Sequence, residues 1–299
     1  MASVPNRGPI LKSVPLLTFV SLVAISVVLW WSALGSLFAL ALHDEQYTHI
    51  LLILPISAAF ICFEWESPAS RTNSSIIVGS VLLLAALLAK LFATGLVPAD
   101  IQLSLNILAL VGCWIGSFIL CYGNSAFRRA LFPLFFLLWL VPLPQFVLNF
   151  IVTLLQKGSA ASAFLFFRVT GFAVEQRGTL LHLPGLTLDV APECSSIRSS
   201  MMLLVTTMVL AQILLLSFWR KAVTFAVAIP LTVLKNGLRI FVLGVLTTKV
   251  DPSFFTGRLH RQGGIIYFLI ALSCIFLLLW FLRRGENQQA THPRDLLLK

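Results

Sequence analysis

The chain is built as a succession of apolar runs, each about as long as a bilayer is thick, separated by short polar breaks. Such runs leave little choice of fold. A backbone N–H or C=O left unpaired in hydrocarbon costs several kcal/mol, so a spanning segment closes its hydrogen bonds within itself as a helix of roughly 20 apolar residues. The runs are residues 14–34, 48–63, 76–97, 101–122, 131–143, 195–218, 222–246 and 264–282. The fold class expected is an all-α polytopic membrane protein of about eight transmembrane helices, one integral membrane domain over residues 1–299. Composition agrees: 59% of the residues are hydrophobic and 11% charged, against about 25% charged in a soluble domain. That balance excludes a soluble enzyme, a disordered chain and a disulfide-stapled secreted domain. The first run has full transmembrane length and lacks an A-x-A-like site, so no cleaved leader is expected.

The net charge of +10 would point to nucleic acid in a soluble protein. Here its position matters more than its size. Arg128-Arg129, Arg220-Lys221 and Arg283-Arg284 each abut the end of an apolar run. Placing all three pairs in the cytoplasm obeys the positive-inside tendency and puts both chain ends inside. The tail 283–299 is then cytoplasmic, and no nucleic-acid partner is expected.

Residues 145–171 mix Gln156, Lys157 and Arg168 with Phe164, Phe166 and Phe167, and read as interfacial or re-entrant rather than spanning. They lead to an outer loop, 171–193, in which Leu181, Leu183, Leu186, Leu188 and Val190 alternate around Pro184-Gly185. The alternation fits a short β-hairpin, and an irregular loop is the other reading.

Ionisable groups inside or beside a membrane are costly and are functional candidates by default. Cys62, Cys113, Cys121 and Cys274 fall within apolar runs and behave as small hydrophobes. Cys194 stands instead at an outer helix entrance, in Glu193-Cys194-Ser195-Ser196-Ile197-Arg198. The helix dipole and Arg198, one turn on, both favour its thiolate, while Glu193 opposes it. Counted upward from Arg220-Lys221 at 1.5 Å per residue, Arg239 and Arg198 reach similar heights of roughly 25–30 Å, with Cys194 about a turn higher. Two arginines and a thiol can therefore share a pocket just below the outer surface. Snorkelling to the headgroups is the plainer reading of Arg239. His260, in the loop feeding the last run, could pair with the thiol as a base. His43, His49 and His182 are rival bases on the outer side, and His292 is excluded as cytoplasmic. Arg258 and Arg261 flank His260 and could hold a substrate carboxylate, as could Arg198. No Gly-rich phosphate loop, C-x-x-C, H-E-x-x-H or G-x-S-x-G stretch is present, so neither cofactor nor metal is expected.

These segments resemble the exosortase/archaeosortase family. Glu193-Cys194-Ser195-Ser196-Ile197-Arg198-Ser199 resembles its cysteine motif, Asn236-Gly237-Leu238-Arg239-Ile240 its arginine motif, and His260 with Gly263-Gly264 its histidine motif. Tyr47-Thr48-His49, Val141-Pro142-Leu143-Pro144 and Leu183-Pro184-Gly185-Leu186 also resemble the family's upstream segments. Ser196 departs from the family's usual glycine, and Thr48 and Ile50 from its serine and glycine. The resemblance implies a cysteine-type peptidase or transpeptidase of the inner membrane with its site at the outer face. Its substrates would be exported proteins ending in a Pro-Glu-Pro-like motif, a transmembrane helix and a basic tail. In that reading Cys194 is the nucleophile, Arg239 stabilises the oxyanion or positions the carbonyl, and His260 transfers protons. Two other classes remain open: a transport or polysaccharide-export component in which Arg198 and Arg239 line an anion path, and a membrane scaffold with no active site.

Overall fold

The computed structural model describes residues 9–63, 73–191, 197–251, 253 and 264–290. It divides into two compact units, Met1–Val147 and Leu148–Lys299. Among the described residues seven helices are long and apolar enough to cross a membrane, or eight if a bent pair counts as one span. The all-α polytopic architecture expected from the apolar runs is the one observed.

In the first unit the first run is two helices, α1 (Pro9–Leu29) and α2 (Trp31–His43), meeting at a 76° bend. The bend falls at Trp30. The indole of Trp30 is buried against Ala86, Ala109, Leu110 and Cys113, so the chain turns where its largest side chain plugs into the core. After a 3-10 turn at Glu45–Tyr47 come α3 (Ile50–Phe63), α4 (Asn73–Leu96) and α5 (Ala99–Arg129). Gly123, at φ 84°, breaks α5 just beyond Tyr122, where its apolar run ends.

The fifth run does not form a span. It folds as α6 (Leu131–Phe136) and a 3-10 turn, Leu137–Leu140. Ten such residues cover about 17 Å, well short of a hydrocarbon core of about 30 Å, and Pro142 and Pro144 cannot extend the helix. The segment lies along α3 instead. Ser57 Oγ donates to the Pro133 carbonyl, Phe60 and Phe132 meet edge to face at 5.0 Å, and Tyr47 Oη donates to the Leu143 carbonyl at 3.3 Å.

The second unit carries the missing span. The stretch expected to be interfacial is one continuous 25-residue helix, α7 (Gln145–Val169), long and apolar enough to cross. A polar residue that lowers its apparent hydropathy finds a partner inside the unit: Gln156 Nε2 donates to the Val190 carbonyl at 2.9 Å. After α7, the expected hairpin forms with an additional strand. β1 (Glu175–Arg177), β2 (Leu180–Leu183) and β3 (Leu186–Asp189) make an antiparallel sheet in that order. Leu183 pairs with Leu186 across a turn in which Gly185 takes φ 80°, a value that favours glycine. The alternating leucines point one way. Leu181, Leu183 and Leu188 pack with Ala163 and Phe167 of α7, and with Ile240, Phe241 and Val245 of the helix described next.

Among the described residues of the unit three further helices follow: α8 (Ile197–Leu214), α9 (Phe218–Lys249) and α10 (Gly264–Ala290). Leu203, Ala211, Leu215, Ala228, Ala271, Ile275 and Leu279 form their shared core. The basic end is stapled. Glu286 accepts the backbone N–H groups of Leu216 and Ser217 at 3.0 and 2.8 Å, and Arg220 donates to the Leu282 carbonyl at 2.7 Å.

Candidate functional site

The candidate site is assembled from the C-terminal half of α9. Lys235, Asn236 and Gly237 are all buried there, in the middle of a helix apolar enough to span. Residues i and i+4 share a helix face, so Lys235 and Arg239 lie one above the other, with Asn236 beside them. Each faces a different neighbour. Lys235 Nζ donates to Ser199 Oγ on α8 at 2.6 Å. Asn236 Nδ2 donates to Ser159 Oγ on α7 at 2.9 Å, in a fully buried contact. Tyr267 of α10, 8% exposed, lies within electrostatic reach of Arg239. One turn of α9 therefore gathers polar side chains from all three neighbouring helices.

Gly237 sets the spacing. A Cβ at this position would collide with the Ser162 side chain and lie 3.0 Å from the backbone nitrogen of Ala163. Only glycine permits α7 and α9 to approach this closely, and that approach makes the Asn236–Ser159 bond possible.

The sheet covers the next turn of α9. Ile240 and Phe241, directly after Arg239, pack beneath Leu181, Leu183 and Leu188. The strand's exit is fixed at Val190, whose N–H donates to the Thr179 carbonyl and whose carbonyl accepts from Gln156. The chain then re-enters at Ile197, the buried first residue of α8, followed by exposed Arg198 and by Ser199. The Lys235–Ser199 bond thus brings the start of α8 beside the turn of α9 that carries Arg239, as the helix-rise count anticipated for Arg198.

Cys194, His260, Arg258 and Arg261 lie outside the described residues. His292 lies outside them as well, and the other three histidines lie within. His49 is buried, its Nδ1 3.2 Å from the Gln46 carbonyl and its ring edge-on to Trp139. His43 Nδ1 lies 2.8 Å from the Ala39 carbonyl, and His182 Nδ1 lies 3.1 Å from Thr187 Oγ1 within the sheet. Cys113 and Cys121 are buried, and Cys62 and Cys274 are exposed on apolar helices. Among the described residues no group of three or more His, Cys, Asp or Glu could hold a metal ion.

Asn236 entered the sequence reading only within the arginine motif, and Lys235 beside it was not singled out. Their signal was present in the spacing, since two cations four residues apart in one apolar run occupy a single buried face. Ser159, Ser162 and Tyr267 carried no such signal, because each acquires its polar role from a residue far away in the chain.

Helices of spanning length around a buried, hydrogen-bonded cationic turn define a polytopic membrane protein with a polar centre inside its bundle. The chain belongs to the transmembrane exosortase family, whose model matches residues 30–277. That match includes both units and all three motif segments. No curated protein and no solved structure matches the chain.

Proposed function

We propose that this protein is a cysteine peptidase or transpeptidase that cleaves the C-terminal sorting signal of exported proteins at the outer face of the inner membrane. The observation carrying the proposal is the family match, which takes in the cysteine, arginine and histidine segments in order. The polar turn of α9 supports it, because cationic side chains held inside a helix bundle have a use beside a developing negative charge.

The proposed chemistry begins with the Cys194 thiol giving its proton to His260, and the resulting thiolate attacks a peptide carbonyl of the substrate. Arg239 faces the oxyanion that forms. Collapse breaks the C–N bond, and His260 returns the proton to the leaving amine, which departs with the substrate's transmembrane helix. The thioacyl enzyme is then resolved by water or by an amine acceptor, with the thiolate as leaving group. Arg198, Arg258 and Arg261 are the candidates for holding an acidic residue of the recognition motif.

The test is co-expression with a reporter ending in a Pro-Glu-Pro-like motif, an apolar helix and a basic tail. Cys194→Ala is expected to reach the membrane at normal levels while uncleaved reporter accumulates. Processing that continues in Cys194→Ala overturns the assignment. Tolerance of that change combined with failure of Arg239→Ala in export of an anionic cargo would favour the transport reading.

A further inference from the structure

A second polar feature lies in the first unit, where the proposed chemistry makes no use of it. The bend between α1 and α2 opens a cavity of about 310 Å³ against the end of α4 and the start of α5. Its polar lining comes from Ser32 and Ser36 of α2, Lys90 of α4, and Gln102 and Asn106 of α5. No carboxylate lines it among the described residues. Lys90 is half-buried, and its ammonium sits 5.1 Å above the ring of Trp30. That ring contact is its sole recorded interaction among the described residues, so the cavity holds a cation without an anion. Trp30 is 1% exposed, and its Nε1 is buried with no hydrogen-bond partner. The first turn of α2 adds a helix start that no side chain caps, with its N–H groups at the positive end of the dipole.

The depth of the cavity identifies the anion. Lys90 lies about two turns before the end of the apolar run 76–97, within snorkelling reach of it, and Gln102 lies one residue after Ile101, where the apolar stretch of α5 begins. Both heights belong to the interface, where headgroups sit and Lys and Trp collect. Large apolar residues flank the opening on the outside of the helices: Val28 and Trp31 are each 73% exposed, and Leu91 is 69% exposed. A lone cation and amide donors in a pocket, bordered by exposed hydrocarbon, match the two halves of one amphiphile.

We propose that this cavity binds a phosphate group, supplied by an anionic phospholipid whose acyl chains lie along the exposed faces of α1 and α4. Lys90 pairs with the phosphate, and Ser32, Ser36, Gln102 and Asn106 offer hydrogen bonds to its oxygens. Free phosphate shares this chemistry and differs only in lacking the chains.

The test is native mass spectrometry of the full chain in detergent, titrated separately with phosphatidylglycerol, diacylglycerol of the same chains, and inorganic phosphate. Wild type and Lys90→Arg are expected to retain one more phosphatidylglycerol than Lys90→Gln, whose tightest site weakens about fivefold, the weight of one lysine beside an anionic headgroup. Ser36→Phe, which fills the cavity and leaves the charge in place, is expected to lose the same molecule and guards against misfolding of Lys90→Gln. Diacylglycerol should show no difference among the variants. Occupancy by inorganic phosphate at equal affinity would support the site with free phosphate as its source. Equal phosphatidylglycerol retention by all variants, or diacylglycerol held as tightly, overturns the proposal.

Discussion

Lys235 is an ammonium placed where an apolar side chain would be expected, and its neutral partner, Ser199, makes its energetics testable. A buried donor stripped of its acceptor bears its full desolvation cost, about 1–3 kcal/mol, whereas removing donor and acceptor together can be nearly neutral. Ser199→Ala is therefore expected to destabilise the protein by about 1–3 kcal/mol. Lys235→Met should cost less, because it removes the charge and keeps the volume. The double variant should lose less than the sum of the two singles, and thermal unfolding in detergent measures the difference. Strict additivity would mean that the Lys235–Ser199 bond contributes nothing to the fold. This residue also marks how far side chains were legible in sequence. Arg239 stood out as a charge inside an apolar run, and Lys235, four residues before it in the same run, carries the same signal. The hydroxyls that receive these groups were not, because Ser159 and Ser199 become partners only after α7, α8 and α9 have packed.

At the level of elements, α7 and α9 form the pair on which the polar turn depends. Their contact was illegible for the reason that α7 was misread. Gln156, Lys157 and Gly158-Ser159 lower the hydropathy of that stretch, yet Gln156 is satisfied by Val190 and the small residues form the face that meets α9. Hydropathy averages over a helix and cannot tell a polar side chain bonded inside the protein from one turned toward lipid. The hairpin was easier to read, because alternation with a Pro-Gly turn is a local signal. The close approach at Gly237 yields a prediction. Alanine favours a helix over glycine by up to about 1 kcal/mol, while overpacking a tight contact costs about 1–3 kcal/mol. At Gly237 the added methyl would strike Ser162, so overpacking is expected to win. Gly237→Ala should lower the unfolding temperature and disrupt the Asn236–Ser159 bond. Gly35→Ala, which meets nothing within 4 Å, should be neutral or slightly stabilising in the same measurement. Equal behaviour of the two variants would show that the α7–α9 spacing does not rest on Gly237.

Across the molecule, the distribution of charge and secondary structure within the second unit gives the proposed chemistry a direction. Phe218 begins α9 beside the staple of Arg220 and Glu286, and Gly244 near its far end touches Leu188 of the sheet. The 26 residues between Phe218 and Gly244 rise about 39 Å along the helix, more than the hydrocarbon core of about 30 Å. A membrane crossed by α9 therefore separates the sheet from the Ser217 turn. The paired arginines and lysine at that turn and at Arg283-Arg284 favour the cytoplasm for it, which leaves the sheet and the polar turn toward the outside. Single cysteines report this directly in a Cys194→Ala background, where the remaining thiols are buried or lie on apolar helices. Thr187→Cys, at an exposed position of β3, is expected to react with a membrane-impermeant maleimide in intact cells. Ser217→Cys should react only after permeabilisation. The opposite pattern would turn the polar centre toward the cytoplasm and remove exported proteins as its substrates. Labelling of both in intact cells would mean that α9 does not cross at all.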